Sequence, residues 1–78
     1  MKDAIKRLMA SLWNLDPASI PDDAAFNNLP GWDSLGHITL MMKIEAELGV
    51  TLTTEAMQSA LTLPALVDFV VQAKGEKP

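Results

Sequence analysis

Apolar and polar positions follow a helical period over most of the chain. Over residues 2–14, apolar side chains recur every three or four positions, which predicts an amphipathic first helix with one buried stripe. That stripe consists of Ile5, Leu8, Met9, Leu12 and Leu15. Further helical patterns run over 34–48, 54–60 and 63–74, and no strand-like alternation interrupts them. The sequence therefore predicts an all-α fold, a small four-helix bundle.

The second helical pattern carries apolar residues on more than one face. They are Leu35, Ile38, Leu40, Met41, Met42, Ile44 and Leu48, and Gly49 is the expected C-cap. A helix of this kind is either central to a bundle or partly exposed to a partner. We favour the central position, because large apolar side chains are buried more often than not.

A long connection, residues 16–33, separates the first two helices. It contains three prolines, two adjacent aspartates and two adjacent asparagines, which is the composition of a loop. Apolar residues nevertheless recur along it, and we expect them to anchor the loop on the helices. They are Ile20, Phe26, Leu29 and Trp32. Loops of this length in compact domains are often functional.

Length and charge narrow the class of protein. Seventy-eight residues indicate a single domain over 1–78, and the absence of cysteine excludes disulfides and thiolate metal sites. The net charge of −4 argues against nucleic acid as the main partner and favours partners with a basic surface. No secretion signal or membrane span is evident, so we expect a cytoplasmic protein that binds no membrane. We also expect it to be a monomer.

Few side chains could carry out chemistry. Ser34, His37 and Asp33 lie within one helical turn, but a bundle of this size offers no obvious concave site for a hydrolase. The lone histidine and the Asp22-Asp23 pair lack the spacing of a metal site, and the pair is expected to be solvated in a turn. There remains a serine hydroxyl at a helix N-terminus, with Asp33 as a favoured N-cap residue. Ser34 is then either a group that another enzyme modifies, since a helix start favours a phosphate, or merely a helix cap.

The stretch Gly31–Leu35 resembles the modification motif of acyl carrier proteins, in which the serine receives 4′-phosphopantetheine. The resemblance extends over nearly the whole chain. Residues 26–29 are similar to the family's loop anchor, residues 45–50 to the end of its second helix, and residues 62–70 to its last helix. Size, acidity and helix order agree as well.

The resemblance implies a carrier that is not an enzyme. Ser34 would hold the pantetheine arm, whose thiol bears an acyl or aminoacyl thioester, and Asp33 would help to bind Mg²⁺ and CoA during transfer. Leu35, Met41 and Glu45 would contact partner enzymes. The implied partners are a phosphopantetheinyl transferase with CoA and Mg²⁺, an acyl- or aminoacyl-activating ligase, and downstream acyl-transfer or synthase enzymes.

One departure from the family pattern bears on the pathway. Carriers of fatty acid synthesis usually have acidic residues early in the second helix, where this chain has Gly36, His37 and Thr39 and keeps acids only at Glu45 and Glu47. We therefore expect a specialised biosynthetic pathway rather than housekeeping fatty acid synthesis. The sequence does not identify the acyl group or the loading enzyme.

Two residues and one alternative function stay open at this point. A glycine at position 36 weakens the helix by about 1 kcal/mol relative to alanine, so it either makes room for the arm or a partner, or reflects drift at a helix end. His37 is expected to be an exposed polar residue, or else a neighbour of the phosphate on Ser34. The alternative function is a small helical protein–protein interaction module without a prosthetic group.

Overall fold

A computed structural model describes residues 1–75 of the chain, and the predicted tail over 76–78 lies outside the described residues. The four helices are α1 (Lys2–Trp13), α2 (Ser34–Leu48), α3 (Thr54–Ser59) and α4 (Leu63–Lys74). This order confirms the predicted all-α four-helix architecture. Among the helices of residues 1–75, none combines the length and the apolar composition that a membrane span requires.

Local backbone signals determine where the helices end. Helix α1 ends one residue before the expected position, because Asn14 adopts a left-handed conformation with φ 56°. Helix α3 likewise stops one residue early, at Ser59. Gly49 ends α2 in the same left-handed region, as the sequence predicts, and Gly75 ends α4 in that region as well.

Threonine side chains begin the two C-terminal helices. The Thr53 hydroxyl accepts a hydrogen bond from the Ala56 amide at 3.0 Å, and the Thr62 hydroxyl accepts one from the Ala65 amide at 3.2 Å. Each bond satisfies a first-turn amide that has no partner within its own helix. Local sequence therefore determines the starts of α3 and α4.

The long loop packs on the helices as expected. Ile20 and Trp32 are fully buried, and Phe26 and Leu29 pack partly buried against the core. A short 3₁₀ turn over Pro17–Ser19 follows α1. The other buried apolar side chains come from all four helices, from the long loop itself, and from the α2–α3 and α3–α4 connections: Ile5, Met9, Ala10, Ala24, Leu40, Met41, Ile44, Val50, Leu52, Ala56, Ala60, Leu63, Leu66 and Val70.

Backbone hydrogen bonds fasten the middle of the loop to the α3–α4 connection. The Phe26 amide donates to the Leu61 carbonyl at 2.8 Å, and the Leu63 amide donates to the Ala24 carbonyl at 2.8 Å. These bonds join two connections that are far apart in the sequence. Residues 27–33, the last part of the loop, then lead into α2.

Asp22 also connects the loop to α1. Its carboxylate lies 2.6 Å from the Lys6 ammonium and 3.1 Å from the Lys2 ammonium. Hydrogen bonds from the two lysines hold the pKa of Asp22 below its ordinary value, and the bond from Lys6 has the larger effect. Asp22 and Asp23 are exposed in a turn, as the sequence predicts, and the ion pairs of Asp22 with the two lysines are an additional feature.

Candidate functional site

Asp33 caps the start of α2. Its backbone is extended, and its Oδ1 accepts a hydrogen bond from the Gly36 amide at 2.8 Å. The Asp33 carbonyl then accepts the first helical hydrogen bond, from the His37 amide, at 2.7 Å. The aspartate thus performs the capping that the sequence also allowed for Ser34.

Ser34 is the first residue of α2 and is exposed. Because Asp33 supplies the cap, the Ser34 hydroxyl is not required to begin the helix. First-turn amides and the helix dipole make this position favourable for an anion such as a phosphate. The hydroxyl is thus accessible to another enzyme at a place suited to a phosphate ester.

Gly36 lets the preceding loop approach α2 closely. A Cβ on Gly36 would overlap the Gly31 carbonyl oxygen. It would also lie 3.0 Å from the Gly31 carbonyl carbon and 3.3 Å from Asp33 Oδ1. Gly31 is itself in the left-handed region with φ 95°, and a Cβ there would overlap the Trp13 side chain. Gly36 therefore makes room for the chain's own loop, a reason that the sequence did not reveal.

His37 lies in the core, with only 7% of its surface exposed. The Trp32 indole Nε1–H donates to His37 Nδ1 at 2.9 Å, and His37 Nε2 lies 2.6 Å from the Met57 carbonyl oxygen in α3. An indole N–H can only donate, so Nδ1 is the acceptor and Nε2 carries the proton that it donates to Met57.

These contacts correct the prediction for His37. Burial contradicts the expectation of an exposed polar residue, and engagement of both ring nitrogens inside the protein contradicts a role beside a phosphate on Ser34. For the same reason His37 cannot serve as a base for Ser34, which removes the geometry of a hydrolase. The helical register of His37 with the buried Leu40 and Ile44 is the signal that could have placed it in the core.

The exposed face of α2 is apolar. Leu35, Ile38 and Met42 are 75%, 59% and 64% exposed, and their spacing of three and four residues puts them in one row that begins beside Ser34. Helix α2 is thus both central on one face and uncovered on the other. Met41 is only 1% exposed, so the prediction that it contacts partners is wrong, because it turns with Leu40 and Ile44 into the core.

The acidic side chains of α2 are occupied within the chain. Glu45 is half-buried, and its Oε2 accepts a hydrogen bond from the Leu52 amide at 2.9 Å, which holds the α2–α3 link. Glu47 lies 3.2 Å from the Lys43 ammonium. The contact gives Glu45 a structural role, and its predicted partner contact stays a prediction.

A mostly apolar groove of about 300 Å³ lies between α2 and α3. Its lining residues are His37, Ile38, Met41, Met42, Thr54, Met57 and Gln58. The wall of the groove thus includes the buried His37 and two residues of the exposed row, Ile38 and Met42. Across residues 1–75, no three His, Cys, Asp or Glu side chains are grouped so that they could hold a metal ion.

Comparison with known proteins agrees with this geometry. Residues 3–70 match the family described as "Phosphopantetheine attachment site", so the chain belongs to the phosphopantetheine-binding carrier family. It is 30% identical over 74 residues to an acyl carrier protein of Solidesulfovibrio magneticus, covering 95% of each chain. It is 29% identical over 72 residues to an acyl carrier protein of Sinorhizobium fredii, covering 92% of each chain. Over 68 residues it is 28% identical to one of Thermosynechococcus vestitus, covering 87% of this chain and 84% of the relative.

Membership of this family defines the coarse function. The protein is a non-catalytic carrier whose prosthetic group is phosphopantetheine, and it works with a phosphopantetheinyl transferase and with enzymes that handle acyl groups. The start of α2 fits such a group, because it offers an exposed hydroxyl at a helix N-terminus, where the helix dipole favours a phosphate.

Proposed function

We propose that Ser34 is the attachment residue for 4′-phosphopantetheine, and that the protein presents an acyl or aminoacyl thioester to partner enzymes. One observation supports this assignment above others: Ser34 opens α2 with an exposed side chain while Asp33, rather than Ser34, caps the helix. In a family defined by phosphopantetheine attachment, a serine with no capping duty at a helix start is the natural acceptor.

The chain's own residues support the group in three ways. When bound, phosphopantetheine supplies the thiol that a cysteine-free chain lacks. The first-turn amides of α2 favour the phosphate. Asp33 uses Oδ1 for the cap, so Oδ2 is the atom that we assign to Mg²⁺ and CoA during transfer.

Partner enzymes would meet the apolar row of Leu35, Ile38 and Met42, which begins next to Ser34. Large exposed apolar side chains in one row are typical of interaction surfaces. We propose that the transferase, an activating ligase and downstream acyl-transfer or synthase enzymes contact this row in turn. Because the early part of α2 has no acidic side chain, we assign the carrier to a specialised biosynthetic pathway.

The exposed row also fits the second candidate, an interaction module without a prosthetic group, since such a module would need an apolar surface of this kind. The two candidates differ in what they require of Ser34. A carrier cannot function without that hydroxyl, whereas a pure interaction module would tolerate its loss.

The test is intact-protein mass after incubation with CoA, Mg²⁺ and a broad-specificity phosphopantetheinyl transferase. We expect the wild type and a Ser11→Ala control, which removes another exposed serine, to gain one phosphopantetheinyl group. Ser34→Ala should gain none while keeping the helical circular dichroism of the wild type. Absence of any gain in the folded wild type would favour the interaction module.

A further inference from the structure

The last turn of α3 leaves a carbonyl without a partner in its own helix. In a continuing helix the Met57 carbonyl would accept from the Leu61 amide, but that amide donates to the Ser59 carbonyl at 2.9 Å. The Met57 oxygen is instead 2.6 Å from Nε2 of His37, which is in α2. A side chain from another helix thus caps the end of α3.

The other nitrogen of the same ring holds the loop that leads to Ser34. Trp32, whose indole donates to Nδ1, directly precedes Asp33 and Ser34. The Trp32 and His37 rings are nearly parallel, at 21°, with centroids 6.2 Å apart, and Phe26 meets the imidazole edge-on at 5.7 Å. The imidazole is thereby enclosed, and each of its nitrogens has one fixed partner.

We propose that His37 is a positioning residue that joins the serine-bearing loop to α3. Nδ1 orients the segment that presents Ser34 to the transferase, and Nε2 holds α3 beside the groove between α2 and α3. The first effect rests on the proposed attachment of phosphopantetheine to Ser34. The second concerns the unmodified protein and is independent of that attachment.

Two substitutions separate the two contacts. His37→Asn places a side-chain oxygen near the position of Nδ1, so it keeps an acceptor for Trp32 and loses the donor to Met57. His37→Gln places its amide nitrogen near the position of Nε2, so it keeps the donor to Met57 and loses the acceptor for Trp32. Ile44→Val is the control, since it removes one buried methylene from the same helix and touches neither bond.

The first measurement is hydrogen exchange by NMR in the unmodified protein. We expect His37→Asn to accelerate exchange of the Ala56 amide in α3 and of the Ala60 amide at its C-cap by about tenfold relative to α1, as loss of one buried hydrogen bond implies. His37→Gln should leave those amides within about twofold of the wild type and accelerate the Trp32 indole N–H instead. In the wild type, ¹⁵N shifts of the imidazole should show an unprotonated Nδ1 and a protonated Nε2.

The second measurement is the steady-state rate of phosphopantetheinyl transfer. His37→Gln should lower kcat/KM by about fivefold, mainly through KM, because a loosened loop must be ordered on binding. His37→Asn and Ile44→Val should stay within about twofold of the wild type. Failure of transfer in the wild type would refute the proposed attachment, while the exchange results would still test the contact to α3.

The outcomes that overturn the proposal are distinct. If His37→Asn and His37→Gln each accelerated exchange both at α3 and at the Trp32 indole N–H, and to the same extent, His37 would be a packing residue alone. A fall in kcat/KM of the same size in His37→Asn and His37→Gln would lead to the same conclusion. A protonated Nδ1 in the wild-type imidazole would contradict the arrangement directly.

Discussion

Replacing Gly36 by alanine tests the close approach of the loop to α2. Gly36 has an ordinary helical conformation, so alanine would fit the backbone and should stabilise α2 by about 1 kcal/mol if helix propensity alone mattered. The added Cβ would, however, overlap the Gly31 carbonyl oxygen. The two effects have opposite signs, and the structure decides which is larger.

The overlap is with backbone, which cannot rotate away as a side chain could. Gly31 is itself restrained on its other side, because Trp13 packs against it. Forcing an extra carbon into a well-packed site costs about 1–3 kcal/mol, and a rigid obstacle belongs to the upper part of that range. After the gain in helix propensity, we expect a net loss of about 1–2 kcal/mol, or about 5–15 °C in Tm for a domain of this size.

Urea denaturation followed by circular dichroism measures the free energy of unfolding of Gly36→Ala against the wild type. Ala46→Gly provides the matched control, since Ala46 is exposed in the same helix and its replacement should cost only the propensity difference of about 1 kcal/mol. If Gly36→Ala stabilised the protein, the loop would not be in close contact with α2 at this position, and the predicted steric overlap would be refuted.

Two further predictions concern charge and burial. Because its lysine partners lower the pKa of Asp22, the ionised carboxylate stabilises the folded state above the ordinary pKa of 3.8, and this contribution is lost as the pH falls through the lower folded pKa. Asp22→Asn should therefore have a lower Tm than the wild type at pH 7 and the same Tm near pH 2, and an equal difference at both pH values would contradict the ion pairs. Met41→Ala should lower the free energy of unfolding by about 2–5 kcal/mol, because Met41 is buried, whereas the exposed Leu35→Ala should change it by less than about 0.5 kcal/mol. Similar losses in urea denaturation for both would refute the assigned faces of α2.

The sequence predicted the helices well because local signals determine them. Apolar periodicity, the Thr53 and Thr62 caps and the terminal glycines all act within a few residues of each helix end. The ends of α1 and α3 were each missed by one residue. In α1 the cause is a left-handed Asn14, which no pattern of apolar residues reports.

The position of the candidate site at a helix start was predictable, and its packing was less so. The sequence placed Ser34 at the start of α2 with Asp33 as its N-cap, because helix capping is local. The role of His37 depends on a carbonyl twenty residues away in α3, and that of Gly36 depends on the path of the preceding loop. Contacts of this kind arise only when the chain folds, so the sequence left both residues open or misplaced.

Met41 and Met42 also show what the sequence could not predict in a helix with apolar residues on several faces. Periodicity cannot tell which of two adjacent methionines faces the core when both continue an apolar row. The structure buries Met41 and exposes Met42 together with Leu35 and Ile38. Mutations meant to test partner binding should therefore target the exposed row.

The central claim is that Ser34 carries the prosthetic group, and site localisation by mass spectrometry tests it most directly. Trypsin should release residues 8–43 as one peptide, which contains Ser34 together with Ser11 and Ser19. After transfer from CoA, fragmentation of this peptide should place the phosphopantetheinyl group on Ser34 alone. A modified peptide with the group on Ser11 or Ser19, or a folded protein that stays unmodified under conditions that modify a known carrier, would contradict the claim.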